Sequence, residues 1–120
     1  MKVVVRTLLH NSAYGSDKVW GLASVLSDNE SIDDKHPFRK PEPYPLSFWG
    51  KKSGPWSIKP IFTYDAYLKV DEKTRKGYKI ISDSDLENKI SESLSKLIVM
   101  KITSFPEDFI DFISKKEASK

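Results

Sequence analysis

A chain of 120 residues is about one domain's worth and too short for two independent cores. Its aromatic share of 12% argues against disorder, and the absence of cysteine excludes disulfides, thiolate catalysis and cysteine-based zinc sites. The net charge of +3 is unevenly spread: Lys51, Lys52, Lys59, Lys69, Lys73, Arg75, Lys76 and Lys79 face only Asp65, Asp71 and Glu72 across residues 51–79, which points to a local anion-binding face.

In chain order, Lys2–Leu9 is β-branched and apolar and is expected to form a strand. The apolar run inside it is short and is followed by Arg6, unlike a signal peptide, and no segment has the length of a membrane span. Together with the missing cysteines, this suits a reducing compartment: the cytoplasm, or the nucleus of a eukaryote. His10–Asp17 has turn composition. Lys18–Leu26 is expected to be a second strand. Val19, Gly21, Ala23 and Val25 fall on one face and Trp20, Leu22, Ser24 and Leu26 on the other, so both faces are apolar and the strand belongs inside the sheet.

Residues 27–45 read as a long loop. Pro37, Pro41, Pro43 and Pro45 forbid a helix or a central strand there. Leu46–Lys52 is a third strand, closed by a turn at Ser53-Gly54-Pro55. Trp56–Phe62 is a fourth, in which Pro60 removes a ladder donor and so lies at an edge or at a strand end. Thr63–Lys76 reads as a helix capped by Thr63, with Ala66, Tyr67 and Val70 as its apolar stripe and Gly77 at its left-handed C-terminus. Tyr78–Ser82 resumes as a strand, with Tyr78 in the core. Ser84-x-x-Glu87 is a capping-box pattern opening a helix whose Leu86, Ile90, Leu94, Leu97 and Ile98 share one face. Ser104-x-x-Glu107 opens a last short helix with Phe105, Phe109, Phe112 and Ile113 on its apolar side, a surface that would suit a weak homodimer.

Four features occur in order: Lys18-Val19-Trp20 on a strand, Phe48-Trp49-Gly50-Lys51, an amphipathic helix, and Glu72-Lys73-Thr74-Arg75-Lys76-Gly77-Tyr78. This arrangement resembles the WGR domain over roughly residues 2–82, with Lys51 where the family has arginine. The resemblance implies an α+β fold, a twisted antiparallel sheet with one packed helix, here followed by a C-terminal helical extension at residues 83–120. It also implies DNA binding, in some family members at DNA ends, where the tryptophan stacks and the arginine meets phosphate. Lysine at that place offers phosphate a point charge without the bidentate fork.

Trp49 and Lys51 lie two apart on a strand and so face one side. An aromatic beside a cation can stack on a base while the cation meets the adjacent phosphate. Lys52, Lys59, Arg75 and Lys76 are the further candidates for phosphate contacts. No nucleophile–base pattern, phosphate-cradling glycine loop or nuclease carboxylate–lysine spacing occurs. His10 and His36 are the only histidines, at no metal-ligand spacing, so neither a metal nor a cofactor is expected. The expectation is therefore a non-enzymatic nucleic-acid-binding accessory module, with DNA as the partner. Its rival is a small protein-interaction adaptor or inhibitor, such as viruses aim at host enzymes, working through the Pro-rich loop or the C-terminal helices.

Overall fold

In the computed structural model, the described residues are 2–15, 17–26, 45–101, 104, 105, 107, 108, 110 and 111. The Pro-rich segment up to Tyr44, and with it His36, lies outside them, as do Phe109, Phe112 and Ile113. The fold is α+β: one antiparallel five-stranded sheet with a helix on each face. Its strands are β1 (Lys2–Asn11), β2 (Lys18–Leu26), β3 (Leu46–Lys51), β4 (Trp56–Pro60) and β5 (Lys79–Ile80), in spatial order β4-β3-β2-β1-β5. The helices are α1 (Thr63–Arg75) and α2 (Ser84–Lys101). No helix among the described residues is long and apolar enough to cross a membrane.

The middle position of β2 follows from its two apolar faces. Val19, Ala23 and Val25 pack toward α2, while Trp20 and Leu22 pack toward α1. β1 carries out the same division with a slip. Val5 pairs with Ala23 and Thr7 with Leu22, so Arg6 is an extra, bulged residue. The bulge inverts the alternation: Val3 and Val5 face α2 before it and Leu8 does so after it, which frees Leu9 to face α1. β1 also runs to Asn11, beyond the expected Leu9, and closes on β2 through a 3-10 turn at Ala13–Gly15. A hydrogen bond of 2.8 Å from His10 Nε2 to the Asp17 carboxylate ties the two strands near this turn.

The larger core lies beneath α2. Leu86, Ile90, Leu94 and Ile98 are buried at helical spacing against Val3, Val5, Leu8, Phe48 and Ile58, with Leu97 and Phe105 packed beside them. Each such aliphatic side chain contributes roughly 1.5–3 kcal/mol on burial. The cap lies one residue before the expected Ser84. Asp83, not Ser84, accepts the Leu86 N–H at 3.1 Å, and its carboxylate suits the positive end of the helix dipole.

The first half of β1 has no strand on its outer side, because β5 pairs only with Leu9 and His10. Its free N–H groups are taken by the helix. Val3 N–H donates to Ser95 Oγ at 2.9 Å and Val5 N–H to Ser91 Oγ at 3.0 Å. Residues four apart on a helix advance about 6.0 Å and residues two apart on a strand about 6.8 Å, so two serines serve alternate N–H groups. Replacing both serines by alanine should cost about 2 kcal/mol, roughly 1 kcal/mol per donor left without a partner. It should also expose a strand edge. Thermal unfolding reads the first effect, and concentration-dependent association in size-exclusion chromatography reads the second.

α1 packs on the β1–β2 half of the other face, through Ala66 and Val70 against Leu9, Trp20, Leu22 and Tyr78. Three expectations for this helix are corrected. Thr63 does not cap it: Phe62 holds the cap position and makes no side-chain capping bond. Tyr67 is exposed, because the helix turns the small Ala66 onto Trp20 and leaves the phenol on its outer side. The helix ends at Arg75, with Lys76 as its C-cap. Beyond it, Gly77 N–H donates to Thr74 O at 3.2 Å and Tyr78 N–H to Lys73 O at 3.1 Å. This double closure needs the left-handed φ of 99° at Gly77. Tyr78 then enters the core, and the strand after it is two residues long rather than five.

β4 ends at Pro60, two residues before the expected Phe62, and is an edge strand, so its proline lies both at an edge and at a strand end. Ile61 leaves the ladder, although its N–H still donates to Pro45 O at 2.8 Å.

Candidate functional site

Because α1 covers only the β1–β2 half, no helix among the described residues covers β3 and β4 on that face. The step between the helix and these strands is a groove of about 1290 Å³. Trp20 and Trp49 form its floor, with Ser47 beside them. Asp65, Leu68, Lys69, Glu72 and Lys73 of α1 form one wall, and Lys18, Lys51 and Lys59 stand on the sheet side.

Strand pairing sets the order of these side chains. Trp20 pairs with Trp49, which pairs with Ser57. On one side of this row Leu22 pairs with Ser47, which pairs with Lys59; on the other, Lys18 pairs with Lys51. Successive rows are two residues, about 6.8 Å, apart. The two tryptophans have different fates. Trp20 is sealed under α1, whereas Trp49 keeps 40% of its surface exposed.

Among the described residues, Lys18, Lys51, Lys52 and Lys59 have no acidic partner within ion-pair distance. Lys18 and Lys51 are moreover directly opposite one another, an arrangement of like charges that costs a sheet stability. The helix wall is of mixed sign. Glu72 binds Lys76 at 2.9 Å and Lys69 at 3.2 Å. Hydrogen bonds from these two ammonium groups hold its carboxyl below the ordinary carboxylate value. Lys73 lies 5.3 Å over the Tyr78 ring. Burial there pushes its ammonium pKa down, and the charges of Lys76, Lys69 and Lys18 push the same way against the pull of Glu72. An anion entering the groove near Lys73 and Lys18 would relieve that repulsion.

Of the residues singled out from the sequence, the fold brings Trp49, Lys51 and Lys59 together in the groove, with Lys52 exposed in the adjoining turn. Arg75 and Lys76 do not line it. They project from the end of α1 and are engaged with Asp71, at 2.7 Å, and Glu72. The fold adds Lys18, Lys69 and Lys73, of which the last two belong to the basic stretch of residues 51–79 but were not among the candidates for phosphate contacts. For Lys69 and Lys73 a signal was present: they are four apart and so share a helix face. Lys18 had none, since its place depends on which residue of β3 it meets. Among the described residues no three histidine, aspartate or glutamate side chains converge as a metal site would require.

Comparison with known proteins returned no match to a family model, to a curated protein or to a solved structure.

Proposed function

We propose that this protein is a DNA-binding accessory module and that the groove between α1 and the β3–β4 surface is its binding site. The observation that carries this reading is one juxtaposition: the exposed Trp49 indole lies between cationic rows whose members, Lys18, Lys51 and Lys59, have no acidic partner among the described residues. Free ammonium groups beside an exposed aromatic provide both parts of nucleic-acid contact, neutralisation of phosphate and a stacking surface. The resemblance to WGR domains points the same way, through the same Trp49 and Lys51. Lys52 adds charge at the mouth of the site. Arg75 and Lys76, already paired, contribute only to the background field.

Fluorescence anisotropy with labelled DNA tests this. Affinity should fall steeply as salt rises, in proportion to the number of phosphates neutralised. Lys59→Glu should weaken binding strongly, while Arg75→Ala/Lys76→Ala should change it little. Absence of binding at low salt would remove the proposal. Nuclease-insensitive capture of a defined protein partner would then favour the adaptor reading.

A further inference from the structure

We infer that the groove takes an unpaired DNA strand, one base of which stacks on Trp49 while the phosphates on either side of it lie against Lys59 and against Lys18 and Lys51. This rests on the reading of the groove as a DNA site and specifies the form of DNA.

Two observations select a single strand over a duplex. On the floor of the groove Trp49 is open for stacking, whereas its neighbour Trp20 is 4% exposed under α1; Phe62, 60% exposed, lines the groove beyond them. The lateral room is also narrow. β3 has α1 over the adjacent strand β2 on one side and the sheet edge β4 on the other. Strands are spaced about 4.8 Å, so a base laid on Trp49 fits beside the helix, but the partner base of a terminal pair would meet α1 or overhang the edge. The charge is one-sided as well. Lys18, Lys51 and Lys59 form a purely cationic bank on the sheet, while the helix wall sets Asp65 and Glu72 beside Lys69 and Lys73 and so attracts a second backbone less. One bank of free cations serves one backbone. Across the sheet, Lys59 of β4, Trp49 of β3 and the Lys18–Lys51 pair stand in successive rows, so cations lie on both sides of the indole as phosphates lie on both sides of a base.

Anisotropy titrations of the full chain at low salt should compare a short oligothymidylate, a blunt hairpin duplex, and the same hairpin with an unpaired tail. The oligothymidylate and the tailed hairpin are expected to bind at least tenfold tighter than the blunt hairpin. Trp49→Ala should lower affinity for the single strand roughly 10- to 100-fold, the usual contribution of one stacked base, and leave the blunt hairpin little changed. Trp49→Phe should keep most of the preference, and thermal unfolding followed by circular dichroism checks that each variant is folded. Equal affinity for blunt and unpaired DNA, or an equal loss with both in Trp49→Ala, would overturn the single-strand inference and leave the DNA reading standing. Absence of binding to all three DNAs would overturn both.

Discussion

Gly21→Ala should destabilise the protein by about 3 kcal/mol, at the upper end of what overpacking costs, and lower its melting temperature by roughly 10 °C. Gly21 sits in the central strand directly opposite Phe48 on one side and Leu8 on the other. A Cβ built there would overlap both the tip of the Phe48 ring and the backbone carbonyl oxygen of Thr7. The ring is fully buried among the residues under α2, and the carbonyl belongs to the bulged stretch of β1, so neither can step aside without disturbing the core. Shortening the ring removes only one of the two obstacles. Gly21→Ala/Phe48→Leu should therefore be more stable than the sum of the single losses predicts, yet remain below the parent. Gly77→Ala is the natural contrast. A Cβ at Gly77 meets open space, and only its left-handed φ of 99° resists the substitution. A loss of about 1 kcal/mol is expected there. Chemical denaturation of the parent, Gly21→Ala, Phe48→Leu, their double variant and Gly77→Ala gives all these differences. A Gly21→Ala loss no larger than that of Gly77→Ala would show that the Phe48–Gly21 contact is not tightly packed.

Lys51→Glu should weaken DNA binding roughly 10- to 100-fold while leaving the protein as stable as before or slightly more so. The two effects share one cause. Lys51 and Lys18 are opposed across the β2–β3 ladder, and like charges at directly opposite positions cost a sheet roughly 0.2–1 kcal/mol. Glutamate at residue 51 turns that repulsion into attraction. The same change removes one phosphate partner, draws Lys18 into an ion pair, and places a carboxylate at the mouth of the groove. The salt dependence of binding should become shallower as well, because fewer counterions are displaced. Most binding-defective variants invite the objection that they are misfolded. Here affinity should fall as the melting temperature holds or rises, which that objection cannot explain. A stability loss above 1 kcal/mol, or unaltered affinity, would remove Lys51 from the site.

Local pattern carried much of the architecture. The apolar period of α2, its buried Leu86, Ile90, Leu94 and Ile98 and the two-faced β2 all follow from side-chain spacing, while Pro60 left an edge or a strand end open and the fold shows both for β4. Element ends were less readable. Asp83 competes with Ser84 for the cap, and in the folded chain it is Asp83 that accepts the Leu86 N–H. The bulge at Arg6 left no trace in composition, yet it determines that Leu8 and not Thr7 meets α2.

For the site, the order of residues established that Trp49 and Lys51 share a face and that the middle of the chain is rich in unbalanced lysine, because strand alternation and charge are local properties. Whether the indole is a core residue or an open surface was settled by packing alone. α1 needs only the width of β1 and β2 for Ala66 and Val70, so it seals Trp20 and stops short of Trp49. The partnering of charges was likewise decided in three dimensions. Helical geometry pairs Arg75 with Asp71 and Lys76 with Glu72, while strand register sets Lys18 against Lys51 with no ion-pair partner for either among the described residues. Contacts between residues distant along the chain depend on register and on which half of a sheet a helix covers, and no window of neighbouring residues encodes either.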